Sequence, residues 1–381
     1  ELDGSKVAYH TDRIEAWLKG ERIAPISVDW ALTRRCNYEC GYCYAELQTN
    51  QEHEMKPEHI RRTLDDFAEI GVRGSSFISD GESTVHRYFY DAVRHGKQNG
   101  LDMGLATNGY LLKEEKLAQL LADLTYIRFN FSAGTAERYA EIMGGRASEE
   151  KKRLYVTKFW PKVLDTIKQS TEIKERDNLD VTIGMQMVLM PQDLDQAVPL
   201  AKLGVDLGVD YVVIKHCTDD EFRTLGIDYR KYLEEQFISE LKRAESLSNN
   251  KTFVKAKWSK ILSGGNRHYH QCFGPPFIIQ FSGSGLVAPC GGLFNDRYNE
   301  EYHIGNLTEK SFKEIWESDK YWEVMDRIRS KHFDPRTDCA TLCIQHNTNE
   351  VLFDLVHGSL TLNDLKEAAA KAPAPAHVNF I

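Results

Sequence analysis

The sequence predicts an α/β chain in which a parallel sheet with crossover helices precedes a smaller α+β region. Three observations carry that expectation. Short β-branched or aromatic runs alternate with amphipathic stretches over roughly 190 residues. Near residue 250 the alternation gives way to a hairpin pattern. The eight cysteines fall into an early group (Cys36, Cys40, Cys43), a late group (Cys272, Cys290, Cys339, Cys343) and the isolated Cys217.

The first 25 residues, with Trp17-Leu-Lys-Gly, read as a helix and loop packed on the sheet. Strand-like runs follow at Ile26–Leu32, Ser75–Ser79, Asp102–Thr107, Tyr126–Ser132, Val181–Leu189 and Tyr211–Lys215. Helical periodicity fills the intervals at Glu58–Ile70, Arg87–Asn99, Lys113–Asp123, Glu150–Ser170 and Leu194–Leu207. Six strands suit a doubly wound sheet or an incomplete barrel, and either gathers ligands at the carboxyl ends of its strands. A long amphipathic stretch, Asp228–Asn249, reads as a last barrel helix or connector. Phe277–Phe281, the turn Gly283-Ser-Gly285 and Leu286–Ala288 read as a hairpin. Short helices are expected around Ser311–Ser318 and Lys320–Arg329. Glu367–Lys371, stopped by Pro373 and Pro375, closes a tail expected to fray. The expected divisions are 1–25, 26–227, 228–249, 250–347 and 348–381.

Composition narrows the function classes. Apolar residues at 41% and charged residues at 28% exclude a disordered or fibrous chain. The net charge of −9 is scattered and argues against coating nucleic acid. No apolar run approaches the roughly 18 residues of a membrane helix, so no membrane partner is expected. Glu1-Leu-Asp-Gly4 lacks the layout of a secretory signal. Eight cysteines in 381 residues are too few for a disulfide scaffold and point to a reducing, cytoplasmic setting.

The early cysteines stand in Cys36-Asn-Tyr-Glu-Cys40-Gly-Tyr-Cys43, directly after the first strand. Thiolates ligate iron–sulfur clusters, and three of them leave one iron of a cubane open to a small molecule. A zinc knot or a redox pair at Cys40 and Cys43 are the other readings of this spacing. Four late thiols would ligate a second cubane completely, or a structural zinc ion.

The early motif, with aromatic Tyr42 before its third cysteine, resembles that of the radical S-adenosylmethionine (SAM) enzymes. Other stretches agree in order along the chain. Ser79-Asp80-Gly81-Glu82-Ser83 resembles the family's Gly-Gly-Glu segment, with Asp80 where the first glycine is usual. Thr107-Asn108-Gly109 and Ser132-Ala-Gly-Thr135 resemble its next two strand-end turns. This resemblance covers Ile26 to about Cys217 and implies a partial (β/α)6 TIM-type barrel. It implies SAM contacts from Tyr42, Gly81, Glu82, Ser83, Asn108 and Ser132, with Glu82 on the ammonium. Arg146 is a further candidate, for the SAM carboxylate. Around the late cysteines, Ile304-Gly-Asn-Leu-Thr and Phe312-Lys-Glu-Ile-Trp316 resemble the SPASM/twitch extension, implying a second, four-cysteine [4Fe–4S] cluster.

The resemblance implies reductive cleavage of SAM to a 5′-deoxyadenosyl radical, with an electron donor such as flavodoxin or ferredoxin. The auxiliary cluster leans the reading towards oxidation of a hydroxylated small polar molecule. Alternatives are epimerisation with Cys217 as hydrogen donor, and modification of a peptide. Cys217 also reads as a small buried hydrophobe. Lys215 and His216, at the end of the sixth run, alternate faces, so one of them points inward, as anion partner or proton relay. Gln186, Gln280 and Asp296 are further polar candidates.

Overall fold

The computed structural model describes residues 4–50, 54–341, 343, 345–371 and 373–381. Glu1–Asp3, on which the N-terminal reading begins, lie outside the described residues. Strands occur at β1 (Ser27–Trp30), β2 (Gly74–Phe77), β3 (Asp102–Thr107), β4 (Tyr126–Asn130), β5 (Thr182–Leu189) and β6 (Tyr211–His216). They continue at β7 (Phe253–Ala256), β8 (Ile278–Phe281), β9 (Leu286–Ala288) and β10 (Gly305–Asn306). The chain forms two compact units. One comprises Glu1–Arg34, Gln48–Gly104 and Arg267–Ile381; the other comprises Arg35–Leu47 and Leu105–Asn266.

In the first unit β1 runs parallel to β2 on one side and to β8 on the other, with Ser27 opposite both Gly74 and Ile278. The late hairpin therefore extends the parallel sheet. Its inner strand suits that place because Ile278–Phe281 is buried on both faces. β9 and β10 add antiparallel pairs outside it. Trp30 ends β1, its indole N–H donating to Ser75 Oγ at 2.9 Å while its ring meets Phe67, Phe77 and Phe281. The helix Thr11–Leu18 buries Trp17 edge-on against Phe273 and Phe277 at 5.7 and 5.4 Å. The tail helix runs Leu362–Ala370, and the chain end beyond it is held to the N-terminal segment. The buried Lys6 ammonium donates to the carbonyls of His377 at 3.2 Å and Phe380 at 3.1 Å, satisfying a charge that burial would otherwise penalise.

In the second unit β4, β5, β6 and β7 are all parallel. β7 was not expected; its four residues begin with Phe253, which is 55% exposed, so its pattern is that of a short edge strand. The expected connecting helix is also divided. A 3-10 turn spans Tyr229–Leu233, Glu234 is extended, and the α-helix runs Glu235–Glu245. Likewise the stretch read as one helix from Glu150 contains a π-turn at Tyr155–Phe159 before the helix Trp160–Asp177. That turn sets Tyr155 and Phe159 against one ring, Tyr38, at 5.0 and 5.3 Å. A π-turn inserted in a helix commonly serves a site. Among the described residues no helix is long and apolar enough to cross a membrane.

Candidate functional sites

The three-cysteine loop lies in the second unit and lacks regular structure until Tyr44. Its shape comes from what grips it. Gly41 N–H donates to Ile142 O at 3.0 Å, and Arg146 N–H donates to Glu39 O at 3.0 Å. Only glycine fits at this crossing, because a Cβ on Gly145 would stand 2.9 Å from the Cα of Gly41. The Tyr155 hydroxyl accepts the Glu39 N–H at 2.9 Å, and Lys151 pairs with the Glu39 carboxylate. Tyr38 N–H donates to Cys36 Sγ at 3.4 Å. Burial, then the neighbouring thiols Cys43 and Cys36, push the Cys40 thiol well above its ordinary range. Crowded thiols of this kind become joint ligands only when a cationic centre holds them as thiolates, so the donor set fits an iron–sulfur cluster.

Several expected contact residues gather around this loop. The Tyr42 hydroxyl donates to Met143 Sδ at 3.1 Å and accepts from Ser132 Oγ at 3.0 Å. Ser132 Oγ also accepts the Val188 N–H at 3.1 Å, so it braces Tyr42 against β5. Asn108 donates from Nδ2 to Asn37 Oδ1 at 2.9 Å, tying the end of β3 to the loop. Gly109, at φ +78°, turns the chain away where a Cβ would meet Phe129 at 2.8 Å. The Arg146 guanidinium lies on the Glu46 carboxylate at 2.8 Å and the Cys40 carbonyl at 3.2 Å, both parts of the loop itself. Cys217 is 1% exposed, with Sγ 3.4 Å from Thr218 O and 3.8 Å from Tyr42 O. Burial pushes its thiol up to about 12. His216 points away from Cys217's side of the strand and sits edge-on between Tyr229 and Tyr232 at 5.8 and 5.4 Å. Lys215 shares its face with Cys217 and acts on it electrostatically. Gln186 donates to Asn130 Oδ1 at 3.2 Å.

Gly81, Glu82 and Ser83 belong to the first unit. Gly81 adopts φ +84°, and a Cβ there would meet Thr33 O at 2.2 Å. The Glu82 carboxylate accepts from Thr84 N–H at 3.2 Å and Thr84 Oγ1 at 2.7 Å, capping the turn that follows. Ser83 Oγ accepts the Leu32 N–H at 3.2 Å. Asp80 is buried and binds three groups. It accepts from Ser282 Oγ at 2.5 Å and Gly283 N–H at 2.6 Å, and pairs with Arg34 Nε at 3.1 Å.

The late cysteines form a second set, within the first unit. Cys272 and Cys290 are each pushed well above the ordinary thiol range by burial first, then by Cys339 and Cys343, with Cys290 also raising Cys272. Asn349 Nδ2 donates to Cys343 Sγ at 3.5 Å while its Oδ1 accepts the N–H groups of Phe273 at 2.7 Å and Gly274 at 2.9 Å. Gln280 Oε1 accepts the Gly291 N–H at 2.5 Å, fixing the chain just after Cys290. Arg267 donates to the carbonyls of Pro335 and Ala340, which flank Cys339. Asn37, Asn349 and Arg267 were not singled out from sequence, because no spacing separates them from ordinary loop residues.

Comparison with known proteins agrees with this arrangement. A radical SAM superfamily model matches residues 30–198, and an iron–sulfur cluster-binding (SPASM) domain model matches residues 272–344. The chain is 25% identical to a tungsten-containing aldehyde ferredoxin oxidoreductase cofactor-modifying protein of Pyrococcus furiosus, across 81% of this chain and 85% of that one. It is 31% identical to a PqqA peptide cyclase of Rhodopseudomonas palustris, across 45% of each. Among solved structures, Streptococcus suis SuiB with bound SAM superposes with a TM-score of 0.60 at 16% identity, covering 81% of this chain and 70% of that one. The anSMEcpe structure with bound SAM gives 0.55 at 13% identity, covering 91% and 100%. These two share the fold, and the paired domains imply [4Fe–4S] clusters and SAM as cofactors. The chain is a radical SAM superfamily protein with a C-terminal iron–sulfur SPASM domain.

Proposed function

We propose that this protein modifies a peptide or protein substrate by radical chemistry. Cys36, Cys40 and Cys43 would hold the cluster that binds SAM, and Cys272, Cys290, Cys339 and Cys343 the auxiliary cluster. A reduced cluster held by Cys36, Cys40 and Cys43 would supply the electron for reductive cleavage of SAM and so the means of removing hydrogen from a substrate carbon. The chain's own residues do the positioning. Arg146 and Gly145 shape the three-cysteine loop, Ser132 orients Tyr42, and Asn108 ties the loop to the end of β3. Gly81 and Glu82 form the strand-end turn that would meet the SAM ammonium. Lys215 would take an anionic substrate group. The packing of Cys217 against the Tyr42 carbonyl supports a structural thiol rather than a hydrogen donor.

The observation that carries this reading is the coexistence of two groups of mutually interacting thiols, one of three and one of four. The 31% identity to a peptide cyclase over 174 residues supports a peptide in preference to the hydroxylated small molecule expected from sequence. The test is anaerobic incubation of reconstituted protein with SAM, reductant and short peptides encoded beside its gene, followed by mass spectrometry. A peptide altered in mass, with deuterium passing from labelled peptide into 5′-deoxyadenosine, is the expected result. Deuterium arriving only from a labelled sugar or cyclitol would overturn it.

A further inference from the structure

Arg267 occupies a position that the cysteines alone do not explain. Its guanidinium reaches the carbonyls of Pro335 and Ala340, one on each side of Cys339, and so fastens the segment that carries two of the four late thiols. A lysine could not grip both carbonyls with the same planar fork. Burial, the largest influence, opposes a positive charge here, yet Cys339, Cys343, Tyr269 and Cys272 together leave the guanidinium above its ordinary range. The same charge also acts on Cys290. Asn349 and Tyr269, which hydrogen-bond Cys343, and the Gly292 N–H at Cys290 are neutral.

We infer that Arg267 is a positioning residue with a second role: its fixed charge sets the reduction potential of the auxiliary cluster. Adding an electron to a cluster held by four thiolates adds negative charge in a site of low polarity. A neighbouring cation that cannot lose its proton stabilises the reduced state more than the oxidised one. The charge is held by carbonyl dipoles rather than by a carboxylate, so it is not neutralised by its own partners. Arg267 therefore favours electron acceptance by the auxiliary cluster, whatever substrate supplies the electron.

The test uses the full chain with Cys36, Cys40 and Cys43 replaced by alanine, so that one cluster remains. Its midpoint is read by electron paramagnetic resonance during a redox titration, beside iron content. In Arg267→Gln the midpoint should fall by about 59 mV, a tenfold lower ratio of reduced to oxidised cluster at fixed potential. Arg267→Lys keeps the charge and should stay near the parent value. Loss of iron in Arg267→Gln, with iron and midpoint retained in Arg267→Lys, would also support the role of charge. An unchanged midpoint in Arg267→Gln would overturn the inference. Equal shifts, or equal loss of iron, in both variants would do the same, leaving a purely mechanical tether.

Discussion

The Asp80 carboxylate accepts a hydrogen bond from the Ser282 hydroxyl at 2.5 Å, joining residues 202 positions apart in the sequence. Through Asp80, the turn after β2 is fastened to the β8–β9 turn and to Arg34 at the foot of the three-cysteine loop. Burial raises the Asp80 carboxyl, and the Ser282, Gly283 and Arg34 partners oppose that rise. Asp80→Ala leaves Arg34 without this counter-charge and should cost about 3–5 kcal/mol of stability, read from denaturant midpoints. Asp80→Asn keeps the shape and should cost less.

Gly81 tests the neighbouring turn. At φ +84° with Thr33 O at 2.2 Å from a built Cβ, alanine is excluded by conformation and by space. Gly81→Ala should lower stability by about 2–4 kcal/mol, in the upper range for single substitutions. It should also weaken SAM binding measured by calorimetry on cluster-loaded protein.

Arg146 braces the loop that holds the first cluster, so its removal should show in metal content. Arg146→Ala should reduce iron towards about four per chain after anaerobic reconstitution, from about eight when both cubanes are filled. A variant that keeps full iron but loses affinity for SAM would instead assign Arg146 to the SAM carboxylate.

Cys217 gives a pH dependence whose sign follows from its burial. Its thiol is raised from 9.0 to about 12 in the folded protein. Folding thus favours the neutral form, a stabilisation fully present below about pH 9 and lost as pH climbs through about 12. Its upper bound is about 4 kcal/mol. Between pH 9 and 11 the Cys217→Ala variant should lose less stability than the parent, measured as unfolding midpoints at matched pH.

The six strand runs were legible because β-branched and aromatic residues cluster there between clear helical periods, and the structure places strands at all six. The early cysteines were legible because thiols at short spacing identify their own chemistry. Other features were hidden for physical reasons. β7 alternates in burial, but its sequence Phe-Val-Lys-Ala puts an exposed phenylalanine beside a buried valine, so no apolar–polar alternation marks it. The helix Ala136–Met143, which buries Tyr139, Ala140 and Met143, had no counterpart in the sequence reading because it is short and closely follows the turn after β4. Asp80 stood out as an exception to the family pattern, but its partner Ser282 belongs to a hairpin 202 residues away. The pairing of Arg146 with Glu46 was equally invisible, since the arginine's sequence neighbours gave no sign of the loop it braces.

The most direct measurement is 5′-deoxyadenosine released from SAM by anaerobically reconstituted, reduced protein, compared with the variant carrying alanine at Cys36, Cys40 and Cys43. The account predicts release by the parent and none by the variant, which should still hold about four irons in its late cysteine site. Equal release by both proteins, or none from a parent filled with about eight irons, would contradict it.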